Sequence, residues 1–330
     1  MYEAKFYKKE PVNKARCVLC PHRCLIPNRK SGICLTRQNT DGVLYAKNYG
    51  QVASYAMDPI EKKPLYHFRP GSELFSIGTW GCNFKCNFCQ NWNISQQEVV
   101  SENFDPADIV EIALHNKAAG IAYTYNEPFI WYEFVYDTAK IAKEKGLANV
   151  IVTNGFVSEE PLREMLPLID AMNIDIKAPG EKFYREISIG QLAPVKRTAL
   201  IAYQEGCHVE LTTLIIPTLN DKPEETEEIA QWAASTMGEE VPLHLSRYFP
   251  QYKMDIDPTP IDTLKTAFAA AKKHLKHVYL GNVPAEEGVH DTLCAGCGAV
   301  IIKRKWPEIS ASGIKEGACV KCSHKNYGRF

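Results

Sequence analysis

The chain of 330 residues is long enough for one large domain or for two smaller ones. Its formal net charge is −1 and 45% of its residues are hydrophobic, which is ordinary for a soluble globular protein and excludes an overall positive charge that would attract nucleic acids or anionic membranes. No apolar run reaches the ~20 residues of a membrane span, and residues 1–9 lack the apolar core of a secretion signal, so we expect a cytoplasmic protein that binds neither membrane nor nucleic acid.

Residues 1–70 predict a cysteine-rich segment ahead of the main domain. Its cysteines are separated by two, three and nine residues: Cys17, Cys20, Cys24 and Cys34. Four thiolates at this spacing can close around one zinc ion or one auxiliary iron–sulfur cluster, and both alternatives remain open. A structural metal is favoured because so short a segment cannot build a core of its own and needs a cross-link.

A second group of cysteines follows the first predicted strand of the main domain. Cys82, Cys86 and Cys89 have C-x3-C-x2-C spacing, with Phe88 directly before the last cysteine. Three thiolates so close together can bind three irons of a [4Fe-4S] cluster, which usually takes four cysteines, and leave one iron open. The alternatives are a zinc site completed by a histidine and half of a ferredoxin. The open cluster is favoured because no histidine lies within residues 68–100 and no Cys-Pro ends the run.

Short apolar runs alternate with amphipathic segments over residues 71–285. We predict strands at 74–79, 120–125, 148–153, 171–176, 208–216, 241–246 and 277–281. We predict helices at 106–119, 129–145 and 223–236. Strand–helix units repeated about every 30 residues favour a parallel sheet with crossover helices. The expected fold class is therefore α/β, as an open, partial (β/α)6 barrel of the TIM type.

Polar residues follow several of these strands at their carboxyl ends. They come after the second, third and fourth strands: Asn126, Glu127, Thr153, Asn154, Asp175 and Lys177. Arg247 and Tyr248 follow the sixth strand as weaker candidates. In parallel α/β sheets and barrels, ligands bind at the carboxyl ends of the strands. We therefore predict a single site that joins these polar groups to the second cysteine group.

The cysteine motif C-x3-C-x-aromatic-C after a first strand resembles that of the radical S-adenosylmethionine (SAM) superfamily. Residues 58–68, 81–83 and 89–92, with the sequences DPIEKKPLYHF, GCN and CQNW, narrow the resemblance to the radical SAM enzyme of the AmmeMemoRadiSam system, a relative of the pyruvate formate-lyase activating enzymes. This resemblance covers nearly the whole chain. It implies a [4Fe-4S] cluster whose fourth iron binds SAM, and an electron from a flavodoxin or ferredoxin. It further implies that SAM is cleaved to methionine and a 5′-deoxyadenosyl radical that abstracts hydrogen from a substrate.

The resemblance assigns a role to Glu127. Many relatives have Gly-Gly-Glu-Pro where this chain has Tyr125-Asn126-Glu127-Pro128, so the glutamate is kept and two glycines are replaced. The family implies that Glu127 binds the methionyl ammonium of SAM through a charge-assisted hydrogen bond, to which Asn126 can add another. The alternative is a purely structural acid at a helix N-terminus, favoured by the helix dipole.

Two further pairs are assigned in the same way. Thr153 and Asn154 resemble the Thr-Asn-Gly that lines the SAM site of the activating enzymes. Asp175 and Lys177 resemble their Asp-x-Lys and share a face of a strand, so that Lys177 is expected to bind the methionyl carboxylate. The alternative is an ion pair that only closes the strand end. Val152 stands where the activating enzymes have an aspartate, which argues against the family's monovalent-cation site.

The last segment, residues 286–330, carries two C-x2-C pairs that are separated by 21 residues: Cys294, Cys297, Cys319 and Cys322. This pattern predicts a four-cysteine zinc ribbon, with a rubredoxin-like iron site or a second cluster as the alternatives. The grouping of the cysteines in a chain without a secretion signal favours metal binding over disulfides. Cys207 stands alone and is interpreted as a small buried side chain.

Two rival functions remain, a non-catalytic iron–sulfur electron carrier and a zinc-ribbon interaction protein. Both leave the polar groups at the strand ends unexplained. The substrate is not indicated by the residues. The resemblance implies either a glycyl-radical partner protein or a small molecule, with Memo-like and AMMECR-like proteins as substrates or as pathway neighbours.

Overall fold

Seven short strands precede the main sheet in the computed structural model, which describes residues 2–284, 290–305 and 308–330. They are β1 (Tyr2–Glu3), β2 (Tyr7–Glu10), β3 (Lys14–Cys17), β4 (Leu25–Ile26), β5 (Arg37–Thr40), β6 (Val43–Ala46) and β7 (Gln51–Val52). One antiparallel sheet has the order β1-β6-β5 and another the order β2-β3-β4. The cysteine-rich segment therefore consists of two small sheets rather than a loop.

An eight-stranded sheet forms the centre of the molecule. Its strands are β8 (Ser54–Pro59), β9 (Glu73–Gly78), β11 (Gly120–Tyr123), β12 (Ala148–Thr153), β13 (Ala171–Asp175), β14 (His208–Ile215), β15 (Leu243–Arg247) and β16 (Val278–Gly281), and the intervening β10 (Glu102–Asn103) pairs with β7. The order is β16-β15-β14-β13-β12-β11-β9-β8. All neighbours are parallel except β8, which runs antiparallel to β9 at one edge.

Helices cover the sheet on the crossovers between parallel strands. The helices are α1 (Trp92–Ser95), α2 (Pro106–His115), α3 (Tyr132–Glu144), α4 (Glu159–Met165), α5 (Glu181–Phe183), α6 (Leu192–Gln204), α7 (Pro223–Met237) and α8 (Ile261–Ala271). Short 3₁₀ turns lie at residues 60–62, 128–131 and 166–168, and a π-helical turn lies at 184–188. None of the helices in the described ranges has the length and apolar character that a membrane crossing requires.

The predicted α/β fold with a parallel sheet is confirmed, and all seven predicted parallel strands are present within about two residues of their predicted bounds. The seven parallel strands are joined by six crossovers, which agrees with the expected six strand–helix units. The antiparallel edge strand β8 was not predicted. Helix α2 ends at His115 rather than at 119, because the chain turns at Lys117 with a φ of 56°. Helix α3 begins at Tyr132 rather than at 129, because a 3₁₀ turn occupies Pro128–Trp131.

A small unit follows the main sheet at the C-terminal end of the described chain. Its strands are β17 (Thr292–Leu293), β18 (Val300–Lys305), β19 (Glu308–Ser310), β20 (Ile314–Lys315) and β21 (Ala318–Cys319). Strands β17, β18 and β19 form an antiparallel sheet, and β20 pairs with β21. Tyr327 fixes this unit to the barrel, because its hydroxyl bonds to both the backbone N–H and the carbonyl of Val209 at 2.9 and 3.0 Å.

A buried carboxylate joins the segment before β9 to the interior of the barrel. Glu210, which is fully buried on β14, accepts hydrogen bonds from the backbone N–H groups of Tyr66 and His67 at 3.0 and 2.7 Å. It also accepts bonds from the Nε2 atoms of His208 and His244 at 3.0 and 2.7 Å. Each carboxylate oxygen thus has two donors, which fills its hydrogen-bonding capacity.

Replacement of Glu210 by alanine is expected to lower the free energy of unfolding by about 3–5 kcal/mol, because buried donors lose their acceptor. Burial alone would raise the pKa of Glu210, but its bonds to the two histidines hold that pKa well below the usual range. Its contribution is therefore present above the usual carboxyl range and is lost as the pH falls through the lowered pKa. Urea unfolding against pH measures both effects, and replacement of the exposed Glu228 is the control, with a change within about 0.5 kcal/mol.

Candidate active site

A cavity of about 690 Å³ lies at the carboxyl ends of the parallel strands. The nine residues predicted for the central site all line it: Cys82, Cys86, Cys89, Asn126, Glu127, Thr153, Asn154, Asp175 and Lys177. They come from four different strand ends, which meet here because parallel strands end at the same side of a sheet. Arg247 and Tyr248 are not among the described lining residues. Arg247 instead donates from Nε to the carbonyl of Thr259 at 2.8 Å.

The loop after β9 presents three free thiols to this cavity. The Sγ atom of Cys82 accepts from the N–H of Phe84 at 3.4 Å and from Nδ2 of Asn154 at 3.7 Å. The Sγ atom of Cys89 lies 3.1 Å from Oγ of Ser95 on α1. Hydrogen bonds of this kind orient thiolate ligands and adjust the reduction potential of a cluster.

Asn126 ties the cysteine loop to the next strand end. Its Nδ2 donates to the carbonyl of Gly81 at 2.7 Å, and its Oδ1 accepts from the N–H of Thr79 at 3.3 Å. Gly81 has a φ of 84°, and a Cβ there would also collide with the carbonyl of Cys34. The loop therefore needs glycine at this position, and the amide of Asn126 holds it in place.

Glu127 is a buried carboxylate with few but well-defined donors. Its Oε1 accepts from the N–H of Phe129 at 3.0 Å and from Oγ1 of Thr153 at 2.8 Å, and its Oε2 accepts from the N–H of Asn154 at 2.8 Å. The bond to Phe129 caps the 3₁₀ turn, so the structural role considered for Glu127 is present. Burial raises the pKa of Glu127 to about 7, and the negative charge of Asp175 adds to the rise. Lone pairs remain for a cationic ligand, because two carboxylate oxygens offer about four sites.

Lys177 and Asp175, at the end of β13, form an ion pair that lines the same cavity, with 2.9 Å between Nζ and Oδ2. Burial alone would lower the pKa of Lys177, but the Asp175 carboxylate and the Cys86 thiol hold it above its usual value. The ammonium also lies 5.6 Å from the centre of the Phe88 ring. The ion pair considered as an alternative is therefore present, and it holds a charged ammonium in the cavity wall.

The donor set of the cavity fits a site-differentiated iron–sulfur cluster. Among its described lining residues, three cysteines are present and no fourth, which matches a cluster with one open iron. Burial and the nearby Glu127 carboxylate raise the pKa of the Cys82 thiol well above its usual range. Ligation requires thiolates, so binding of the positively charged iron core would release protons here. Phe84 and Phe88, both buried, cover the sulfurs from solvent.

Similarity to known proteins identifies the superfamily. Residues 76–233 match the sequence profile of the Radical SAM superfamily. An uncharacterized protein of Methanocaldococcus jannaschii is 47% identical over 309 residues, which are 92% of this chain and 92% of that protein. The chain belongs to the radical SAM superfamily. The pyruvate formate-lyase-activating enzyme of Clostridium pasteurianum is 25% identical over 160 residues, which are 46% of this chain and 65% of that enzyme.

Solved structures show the same radical SAM fold. SuiB of Streptococcus suis, in a crystal structure bound to S-adenosylmethionine, has a TM-score of 0.52 and 12% identity over 68% of this chain and 53% of that chain. A radical SAM methyltransferase from Sphaerobacter thermophilus has a TM-score of 0.52 and 14% identity over 64% of this chain and 67% of that chain. At such identities the likeness concerns the fold alone. The superfamily and the relationship to activating enzymes, both predicted from the motifs, are thus confirmed, and membership implies a [4Fe-4S] cluster and SAM.

Several residues of this radical SAM cavity were missed by the sequence prediction. Lys63 is buried and forms an ion pair with Asp58 at 2.7 Å, and the hydroxyl of Tyr125 donates to the same carboxylate at 2.9 Å. Thr212 and Ser246 line the cavity from β14 and β15. Alternation along a strand could have indicated the last two, since residues two apart share a face. Asp58 and Lys63 lie in the segment that carries the family resemblance.

The two outer cysteine groups are arranged differently. The sulfur atoms of Cys294, Cys297, Cys319 and Cys322 all lie within 4.8 Å of one another. Among the described residues, no other group of three or more cysteine, histidine or acidic side chains has its ligand atoms within this distance. The N-terminal cysteines are therefore farther apart than the C-terminal ones. The single cysteine outside the three groups, Cys207, is buried, as interpreted from the sequence.

Trp92, which follows the cysteine loop, does not line the cavity in the described part of the chain. It is 39% exposed and stacks on Tyr252.

Proposed function

We propose that the protein is a radical SAM enzyme in which Cys82, Cys86 and Cys89 hold a [4Fe-4S] cluster and the remaining cavity binds SAM. When bound, the reduced cluster and SAM supply a 5′-deoxyadenosyl radical, with release of methionine, and this radical abstracts hydrogen from a substrate. The observation that supports the proposal most directly is that three thiols, the buried carboxylate of Glu127 and the partly buried ammonium of Lys177 line one cavity of about 690 Å³.

The residues of the chain bind and orient the methionyl part of SAM. Glu127 accepts a hydrogen bond from its ammonium, because three donors occupy the carboxylate and about one of its four acceptor positions remains. Lys177 offers its ammonium to the methionyl carboxylate, and the ion pair with Asp175 keeps that cation charged and in position. Thr153 fixes the orientation of Glu127 through its hydroxyl, 2.8 Å from Oε1.

We propose the AmmeMemoRadiSam system as the finer assignment. It is supported by residues 58–68, whose Asp58 and Lys63 line the cavity beside Tyr125. These side chains line the same cavity as the proposed SAM-binding residues and are available to contact a substrate. The proposed reductant is a flavodoxin or a ferredoxin, and the proposed partners are Memo-like and AMMECR-like proteins. Activating-enzyme relatives support a protein substrate.

The test is anaerobic reconstitution with iron and sulfide, followed by addition of SAM and dithionite. We expect 5′-deoxyadenosine and methionine in equal amounts. A reducible cluster that yields no deoxyadenosine would contradict the proposal and support an electron carrier. Product that increases on addition of a Memo-like or AMMECR-like protein supports a protein substrate, whereas an increase with metabolite extracts alone supports a small molecule.

We also propose that the C-terminal quartet binds zinc. Four thiolates around Zn²⁺ at about 2.3 Å stand about 3.8 Å apart in a tetrahedron. The observed separations are 3.6 Å between Sγ of Cys294 and Cys322 and 3.8 Å between Sγ of Cys297 and Cys319. Replacement of both Cys319 and Cys322 by serine is expected to remove about one zinc per chain and to lower Tm, because structural zinc contributes folding energy. Elemental analysis with thermal unfolding measures this, and unchanged zinc in the variant would contradict the assignment.

A further inference from the structure

The N-terminal cysteines form one group, although they are spread more widely than the C-terminal ones. The side chain of Cys20 is within electrostatic interaction range of Cys17, Cys24 and Cys34. Their backbones are also joined, since the N–H of Cys17 donates to the carbonyl of Cys24 at 3.0 Å. Nevertheless, no three of these four described sulfurs approach one another within 4.8 Å.

The distances between these sulfurs distinguish zinc from an iron–sulfur cluster, the two alternatives that the sequence left open. A single zinc ion would draw four sulfurs to about 3.8 Å from one another, which is close to the separations of 3.6 and 3.8 Å in the C-terminal quartet. Thiolates on different irons of a cube stand farther apart, because each binds its own corner. Among the described residues, the sulfurs of Cys82, Cys86 and Cys89 are likewise not all within 4.8 Å of one another. The N-terminal quartet has the spread of a cluster site.

The surroundings of the quartet suit an anionic group of thiolates. Arg37 is 2% exposed and is within electrostatic range of Cys17 and Cys34. Its guanidinium pairs with Glu133 at 2.7 Å, yet its Nε carries no hydrogen bond among the described residues. The hydroxyl of Thr36 donates to Sγ of Cys34 at 3.3 Å. A buried cation with a free N–H and a hydroxyl donor are the partners that cluster thiolates take.

The quartet lies directly against the loop of the radical SAM cysteines. The carbonyl of Cys34 closely approaches Gly81, the residue before Cys82. His22, between Cys20 and Cys24, donates from Nε2 to the carbonyl of Asn83 at 2.8 Å. Lys85 is within electrostatic range of Cys34 and of all three loop cysteines. The two cysteine groups are thus neighbours in space.

We propose that Cys17, Cys20, Cys24 and Cys34 hold a second [4Fe-4S] cluster that passes an electron to the first. An external one-electron donor of the flavodoxin or ferredoxin class reduces the N-terminal cluster from the 2+ to the 1+ state. Transfer of that electron to the neighbouring cluster restores the 2+ state, so the N-terminal cluster is unchanged over the cycle. Two of the four N-terminal cysteines, Cys20 and Cys24, are partly exposed, whereas Cys89 alone of the three loop cysteines is. A donor protein can therefore approach the quartet through Cys20 and Cys24. This role rests on the proposed function, but the cluster itself does not.

The test is to remove the cysteines of the radical SAM cluster, Cys82, Cys86 and Cys89, and to measure the iron that the protein still binds. Anaerobically reconstituted wild-type protein is expected to hold about eight iron atoms per chain, and the variant C82A/C86A/C89A about four, with a matching amount of sulfide. On reduction the variant is expected to show an electron paramagnetic resonance signal that SAM does not alter. A variant without iron, but with a second zinc in addition to the C-terminal one, would overturn the proposal.

Two controls keep the outcomes apart. The variant C17A/C20A is expected to retain about four irons and a signal that SAM does alter; if it does not fold, the triple variant still decides. The fully reduced wild-type spectrum is expected to show magnetic coupling absent from both variants, and a simple sum of their spectra would overturn the electron transfer. Wild-type protein without deoxyadenosine formation, together with four irons in the triple variant, would count against the proposed function only.

Discussion

Replacement of Cys89 by alanine is expected to abolish 5′-deoxyadenosine formation, down to the level of a protein-free control. Cys89 supplies one of three thiolates to the proposed cluster, and no other cysteine is among the described residues of the cavity wall besides Cys82 and Cys86. A cluster left with two thiolates cannot keep a single open iron for SAM. Liquid chromatography of quenched anaerobic reactions with SAM and dithionite measures the product.

The matched control is Cys207→Ala. Cys207 is also a free cysteine of the chain, but it lies beside β14 and belongs to none of the three groups. We expect this variant to keep full product formation, with a Tm that is lowered slightly because a small buried side chain is shortened. Cys89 is itself only partly buried and contacts Ser95, so its replacement should leave the fold intact. Deoxyadenosine from Cys89→Ala at the wild-type rate would refute the assignment of this cysteine.

The parallel strands were predictable because each is buried on both faces. Strand β11, for example, has four buried residues in succession, and such runs are typical of parallel sheets covered by helices. The edge strand β8 lacks this signal, since five of its six residues are partly or fully exposed. An antiparallel edge strand with one half-open face produces no continuous apolar run. The sequence pattern therefore predicts the parallel strands of the sheet but not its antiparallel edge strand.

The sequence predicted nine residues that line the cavity, but not most of the contacts among them. Ligands bind at the carboxyl ends of parallel strands, and this rule correctly predicted that Glu127 and Lys177 line one cavity. The spacing of two residues between Asp175 and Lys177 also indicated their ion pair, which is present. The sequence did not indicate that Thr153 and Asn154 both donate to Glu127, because these contacts depend on side-chain orientation between neighbouring strands. Asp58 and Lys63 enter the cavity from a segment that precedes the first parallel strand, where the rule does not apply.

The choice between zinc and a cluster at the N-terminal cysteines could not be made from their spacing along the chain. Separations of two, three and nine residues allow thiols to meet at 4 Å or to stay farther apart, because the intervening loops can fold either way. What distinguishes the two arrangements is how the strands β3 and β4, and the turn in which the N–H of Leu35 donates to the carbonyl of Gly32 at 2.9 Å, place the sulfurs in space. Gly32 lies close to Cys24, because a Cβ atom at position 32 would stand 3.6 Å from the Sγ atom of Cys24. This information arises only from the tertiary structure.

Replacement of Glu127 by glutamine is expected to weaken SAM binding about 10- to 100-fold, which corresponds to the loss of a charge-assisted hydrogen bond of about 1.5–3 kcal/mol. The amide NH₂ of glutamine would also face either the N–H of Phe129 or that of Asn154, both of which donate to the present carboxylate. One donor therefore loses its acceptor. Equilibrium dialysis of the reconstituted protein with labelled SAM measures the Kd, and thermal unfolding shows how much of the loss is structural.

The pH dependence of SAM binding tests the same carboxylate independently. The pKa of Glu127 is raised to about 7 by burial, so the ionised form that attracts the methionyl ammonium gains population as the pH rises through 7. Affinity for SAM should then increase about tenfold between pH 6 and pH 8. Conversely, the free energy of unfolding without SAM should fall over this range, since a raised pKa favours the protonated fold. Glu127→Gln is expected to lose the pH dependence of both SAM affinity and the free energy of unfolding. The control Glu228→Gln, at an exposed position of α7, is expected to keep both. A wild-type SAM affinity that does not change with pH would show that Glu127 does not bind the ammonium.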